Sequence, residues 1–252
     1  VGYERNFSWR GRHLAADDEQ GFIDELLEGQ PDAPAYFSRM KRQNREGPQI
    51  LGHRNPLQEL DAEAVKKDVE EATVTFVDTR NQHQVHQGTV PGAINVPVAG
   101  KPAAHAGWAH DPEADSRPLV LLAKDQDLAQ LMWDHLIRVG IDDVTGYVTS
   151  LDELPVVVPE LVSPSDLGTT DYDLLLDVRN ASEYVAGTIP GAKQLSAGRV
   201  LWHQDELPAD GTIVTFCQSG VRNSVAASAL RRAGHRVVEL EGSYLGWQAA
   251  QK

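Results

Sequence analysis

The chain has 252 residues, 41% hydrophobic and 24% charged, with 37 acidic against 23 basic side chains for a formal charge of −14. That balance excludes the broad basic footprint of a nucleic-acid-binding domain, and no uninterrupted apolar run of about 18 residues is present to span a bilayer as a helix. A single cysteine excludes an intrachain disulfide and a Cys-rich zinc site; it fits a reducing compartment such as the cytoplasm, where a lone thiol is a candidate nucleophile.

Residues 1–55 read as a helical tail. Asp18–Leu27 has an acidic start and then Phe22, Ile23, Leu26 and Leu27 on one face, with Gly29 and Pro31 as the stop. Ala35–Arg45 is a second helix with Tyr36, Phe37 and Met40 facing inwards, broken by Gly47-Pro48. The basic run Arg39, Lys41, Arg42 and Arg45 reads as a solvated face of that helix. Two helices bury little core alone, so this tail is expected to dock on the rest of the chain.

Residues 56–154 alternate helix and strand patterns. Leu57, Leu60, Ala64 and Val65 have near-helical spacing over Leu57–Val69. Val74, Phe76 and Val77 form a strand that ends at Asp78-Thr79-Arg80, and Gly88-Thr89-Val90-Pro91-Gly92-Ala93 is a turn segment. Leu119–Leu122 is a strand, and Leu128, Leu131, Met132, His135 and Leu136 run along the helix to Gly140. The pairs His83/His86 and His105/His110 lack an accompanying acidic ligand pattern and read as structural, so no metal site is expected. In 152–161, Pro155 and Pro159 bracket three valines and predict an extended connection.

Residues 155–252 repeat the preceding unit. Gly187-Thr188-Ile189-Pro190-Gly191-Ala192 answers Gly88–Ala93 at an offset of 99 (Gly92 to Gly191), and Asp177 answers Asp78 at the same offset. Ile213–Phe216 is a strand after the turn pair Asp210-Gly211. Val225, Ala229, Leu230 and Ala233 mark a helix that ends at Gly234, with Arg231 and Arg232 complementing its dipole. Between them lies Cys217-Gln218-Ser219-Gly220-Val221-Arg222. A cysteine between a strand end and a helix N-terminus, with arginine nearby, has its thiolate favoured, and the thiolate is the nucleophile. At an offset of 94 (Gly140 to Gly234) Cys217 falls on Ala123. There the loop Ala123-Lys124-Asp125-Gln126-Asp127-Leu128 has no thiol, and Asp125 and Asp127 oppose anion binding. Alternating strands and helices predict an α/β fold: two modules, each a mostly parallel sheet flanked by helices, after a short helical segment. Ligands of such sheets sit at the carboxyl ends of the strands, where Cys217 falls.

Cys217–Arg222 resembles the C-x-x-G-x-R loop of rhodaneses, the thiosulfate and persulfide sulfurtransferases. Leu176-Asp177-Val178-Arg179, Glu183-Tyr184, Gly187–Ala192 (with Thr188 where the family has His), Glu241-Gly242 and Trp247 extend the likeness in order. The resemblance implies a catalytically inactive first copy at 56–154 and an active second at 155–252. In the second, Cys217 forms a persulfide, Gln218, Ser219, Gly220, Val221 and Arg222 form the substrate loop, and Asp177 and Arg179 support it as an ion pair joined by Glu183. It also implies thiosulfate or thiol persulfides as donors and sulfite, cyanide or a thiol as acceptors. Cysteine phosphatases of the same fold have a loop one residue longer. Trp247 reads as core or cleft wall. Gly2-Tyr3-Glu4-Arg5, Gly29-Gln30-Pro31 and Pro34–Asn44 are similar to the end of the metallo-β-lactamase-fold domain of persulfide dioxygenase–rhodanese fusions. That likeness implies an iron-binding domain upstream of Val1 and no cofactor in the chain itself. It leaves open a second role, a non-catalytic sulfur carrier or docking module.

Overall fold

The structure, a computed structural model, describes residues 2–28, 30 and 32–251; the helix stop expected at Gly29 and Pro31 lies outside the described residues. The chain forms two compact units, Val1–Asp32 and Ala33–Lys252. The first holds helices α1 (Gly2–Phe7), α2 (Trp9–Ala16) and α3 (Glu19–Leu27). Ser8 and Asp18 accept from the N–H groups of Gly11 and Gly21 and so cap α2 and α3. Trp9 stacks on Phe22 at 5.5 Å, and His13 bridges Asp18 and Glu25. The apolar face of α3 expected from sequence is present but open, with Leu27 exposed and no residue of α3 buried.

The second unit begins with α4 (Phe37–Glu46) and continues through α5 (Ala62–Glu70), β1 (Thr75–Asp78), α6 (Gln82–Val85), β2 (Ile94–Asn95), α7 (Pro102–Ala109), β3 (Leu119–Leu122), α8 (Gln126–Ile137) and β4 (Val144–Val148). It closes with β5 (Leu161–Val162), β6 (Leu174–Asp177), α9 (Ala181–Val185), β7 (Lys193–Gln194), a 3₁₀ segment (Ala197–Trp202), β8 (Thr212–Phe216), α10 (Val221–Arg232), β9 (Arg236–Leu240) and α11 (Ser243–Ala250). The strands make two parallel sheets ordered β2-β1-β3-β4 and β5-β9-β8-β6-β7. Each sheet is covered on both faces, which is why its strands read as unbroken apolar runs rather than alternating ones. In β3, Leu119 and Leu121 enter one core cluster while Val120 and Leu122 enter another.

The repeat is carried into backbone detail. Gly88 and Gly187 hold φ of +143° and +144°, a region that side chains rarely enter. Thr89 and Thr188 each donate to the carboxylate of their own module's aspartate, Asp78 or Asp177, at 2.8 Å. The expected extended linker is observed, with Val157 bridging antiparallel to Thr89.

Three expectations need correction. The helix predicted over Leu57–Val69 starts only at Ala62, capped by Asp61. Before it the chain is extended, and Glu59 bridges Tyr147 at the edge of the first sheet in the manner that β5 adds to the second. Phe37 is exposed rather than inward-facing. Arg39, expected in solvent, is 4% exposed and donates to the carbonyls of Val139 and Gly140 at the end of α8. A guanidinium can serve those orphan carbonyls where a hydrophobic side chain cannot. The tail from Ala33 therefore belongs to the modular unit: Tyr36 lies over Gly107 so closely that a Cβ there would sit 2.5 Å from the ring.

The modules share one core. Val225 and Ala229 of α10, in the second module, join the cluster built by Val77, Leu121 and Met132 of the first. Around this contact, Ser224 donates to Asn95 at 2.7 Å, and Arg232 reaches the Gly92 carbonyl and Asp115. Arg231 and Arg232 thus do more than complement a dipole.

Candidate active site

Cys217 leaves the carboxyl end of β8 beside Phe216, which is fully buried, and is itself 1% exposed. Its carbonyl accepts from Tyr244 N–H at 3.0 Å and that of Gln218 from Leu245 N–H at 3.1 Å, while Ser243 Oγ accepts from Cys217 N–H at 3.3 Å. The first turn of α11 thus holds the loop carbonyls outward. The loop N–H groups are left to turn the other way. Gly220 N–H donates to Cys217 Sγ at 3.1 Å, and those of Gln218, Ser219, Val221 and Arg222 have no acceptor among the described residues. Successive free N–H groups at the start of a helix make an anion cradle. Gly220 completes it at φ +102°, the left-handed conformation that turns its N–H towards the sulfur.

Asp177 and Arg179 form an ion pair at the end of β6. The Arg179 guanidinium donates to Asp177 at 2.6 Å, to the Gly187 carbonyl at 2.8 Å and to the Gln218 side chain at 3.2 Å, and lies 4.1 Å over the Tyr244 ring. This ties the end of β6 to the second residue of the loop. Glu183 does not join this pair as expected. It pairs with Arg222 through two hydrogen bonds of 2.6 and 2.8 Å, a fork geometry that fixes the first turn of α10 to α9. The Arg222 fork holds the Glu183 carboxyl below its ordinary range. Arg222 is correspondingly raised, chiefly by Glu183 and less by Cys217 nearby. Trp247 packs partly buried beside Tyr244, 5.8 Å between centroids, in the core cluster behind the loop.

Three features were not legible in the sequence. Ser243 and Tyr244 lie about 26 residues downstream of the cysteine and carry no motif of their own. Glu239 is 1% exposed and binds Asn223 and Arg231 of α10 and, from the first module, His86 at 3.2 Å. Gln82 of α6 lies against Gly220, its Cγ 3.4 Å from where a Cβ would stand.

In the first module the corresponding loop is closed on itself. Asp125 accepts from Leu128 N–H at 2.8 Å and so fills the helix start with a carboxylate. Asp78 and Arg80 repeat the ion pair, at 2.6 Å, without a loop side chain to hold. Among the described residues no group of three or more His, Cys, Asp or Glu side chains is arranged to hold a metal ion, and no helix is long and apolar enough to cross a membrane.

The family model for the rhodanese-like domain matches twice, at residues 61–153 and 159–250. A sulfurtransferase of Allochromatium vinosum is 35% identical over 82 residues, spanning 32% of this chain and 77% of the relative. The thiosulfate sulfurtransferase GlpE of Pseudoalteromonas translucida is 32% identical over 78 residues, 31% of this chain and 74% of the relative. A tRNA uridine(34) hydroxylase of Xanthomonas oryzae pv. oryzae is 40% identical over 82 residues, with only 32% of its length covered. Among solved structures, a thiosulfate sulfurtransferase of Pseudomonas aeruginosa aligns with 77% of this chain and 40% of its own, at 20% identity and a TM-score of 0.34.

Proposed function

The chain belongs to the rhodanese-like domain family through both of its modules, and from that premise we propose that the second module is a sulfurtransferase working through Cys217. The observation that carries the reading is the Cys217 sulfur held by Gly220 N–H at 3.1 Å inside a loop of otherwise unpaired N–H groups. The Cys217 thiolate attacks the outer sulfur of thiosulfate or of a low-molecular-weight persulfide. A new S–S bond forms on Cys217, the donor's S–S bond breaks, and sulfite or a thiolate leaves with the electron pair. Sulfite, cyanide or a thiol then takes the outer sulfur and returns the Cys217 thiolate. The loop N–H groups stabilise the anion before and after transfer, so Gln218, Ser219, Gly220, Val221 and Arg222 form the binding loop. Arg222 shapes it through its fork to Glu183, and Asp177 and Arg179 position it through Gln218.

We assign the module at 56–154 a non-catalytic role, supported by Ala123 in place of the thiol and by Asp125 in its cradle. A second reading makes the chain a sulfur carrier or docking module for a metallo-β-lactamase-fold iron domain; it rests on the sequence likeness around Pro34–Asn44. Steady-state kinetics with a persulfide or thiosulfate donor and cyanide or sulfite as acceptor separate the two. Sulfur transfer gives parallel double-reciprocal lines, the mark of a covalent intermediate. A Cys217 that takes up sulfur but does not turn over favours the carrier.

A further inference from the structure

The thiol site is not built by one module alone. Cys217 is 1% exposed, so whatever covers its loop controls which donors reach it. From the first module, Gln82 lays its side chain across Gly220, the residue that donates to the sulfur; its amide nitrogen is 3.6 Å and its Cγ 3.4 Å from the Cβ position of residue 220. Gln82 is the first residue of α6, which Asn81 caps at one end and His86 anchors at the other by reaching the buried Glu239 of β9. Among the described residues the amide makes a single long contact, 3.4 Å to His83, which leaves donor and acceptor capacity on it. The arrangement is one-sided. The cleft over Ala123–Leu128 is lined only by first-module residues, among them Arg80, Lys124 and Asp152. The repeat position of Gln82, at the offset of 99, is Ala181, which has no side chain to reach with.

The two arginines at the loop are already paired. Both terminal nitrogens of Arg222 are on Glu183, and Arg179 is on Asp177. His105 of α7, near Arg222, is held neutral, with its pKa lowered to about 4 by burial first and by Lys101 and Arg222 after it. A dianion such as thiosulfate therefore meets loop N–H groups but, among the described residues of the loop, no unpaired guanidinium, whereas an organic persulfide brings a reacting group of one charge, which asks for less compensation there, and offers its thiol portion to a neutral amide.

We propose that Gln82, supplied by the module without a thiol, is the donor-discriminating residue of the Cys217 site and favours organic persulfides over thiosulfate. The inference rests on the sulfurtransferase reading of Cys217. The step it biases is the first one: the Cys217 thiolate and RSS⁻ give the Cys217 persulfide anion and RS⁻, with charge and sulfur balanced and no oxidant required.

The test is the rate of Cys217 persulfide formation on the full chain, followed by intact mass, with glutathione persulfide and with thiosulfate. The ratio of the two second-order rate constants is compared in wild type, Gln82→Ala and Gln82→Lys. Gln82→Ala is expected to lower the persulfide-to-thiosulfate ratio about three- to tenfold, the value of one amide hydrogen bond. Gln82→Lys should shift it about tenfold or more towards thiosulfate by placing an unpaired cation at the mouth. Ratios unchanged in both variants, with the adduct still formed, overturn the role of Gln82 and leave the reading of Cys217 standing. No adduct in wild type with either donor overturns both.

Discussion

Gly220 is required for its backbone: a φ of +102° aims the N–H at Cys217, while a Cβ there would meet Gln82 only at the 3.4 Å of ordinary van der Waals contact. Gly220→Ala is expected to cost on the order of 1–3 kcal/mol from backbone strain alone. It should also slow persulfide formation, because relaxing φ turns the N–H off the sulfur. Thermal unfolding and the single-turnover rate check the two effects separately, and a variant with unchanged rate would show that this N–H is dispensable. Much at this scale was legible. Cys217, Gly220 and Arg222 stand at a spacing that only a tight strand-to-helix loop accommodates, and Asp177 and Arg179 flank a strand end. The partner of Glu183 was not, because Asp177–Arg179 are adjacent in sequence while the Arg222–Glu183 fork closes across 39 residues.

Among the elements, α10 does most to join chemistry to fold. Its start carries Arg222, one face carries Ser224, Ser228 and Arg232 to the first module, and another carries Asn223 and Arg231 to Glu239. Helical periodicity finds the apolar residues of such a helix but not which polar ones are buried; Asn223 and Ser224 are each 1% exposed. The matching helix α8 starts differently, with Asp125 on Leu128 N–H. A thiol grafted there would face a carboxylate in the place where an anion is to bind. Ala123→Cys in a Cys217→Ser background is therefore expected to gain no persulfide by intact mass under donor conditions that load wild type. Loading of that variant at a rate near wild type would mean that the thiol alone, not the cradle, makes the site.

Across the whole modular unit, the interface between the repeats sets polar and titratable groups around a shared apolar contact. The sequence displayed the repeat through its 99-residue offset, and with it the two sheets. It could not display how the copies meet, since His86, Asn95 and Asp115 find their partners Glu239, Ser224 and Arg232 more than 100 residues away. His105 and His110 are buried on α7 and at its end, and burial lowers both pKa values to about 4 from 6.5; Asp111, Asp115, Arg39 and Arg232 face His110, and Lys101 and Arg222 face His105. The folded state holds both rings neutral while the unfolded chain protonates them. Their stabilisation is therefore complete above pH 6.5 and is lost as pH falls towards about 4, by roughly 3 kcal/mol per histidine. Urea midpoints at pH 7 and pH 5 should differ in wild type and converge in the His105→Gln/His110→Gln variant; parallel behaviour would place the acid sensitivity elsewhere. The chemistry turns on one sulfur atom, that of Cys217, and intact mass after exposure to glutathione persulfide tests its role most directly. The account predicts a gain of one sulfur atom on the wild-type chain that a thiophile removes and that Cys217→Ser lacks. A wild-type chain that gains no sulfur, or a Cys217→Ser chain that gains the same sulfur, would contradict it.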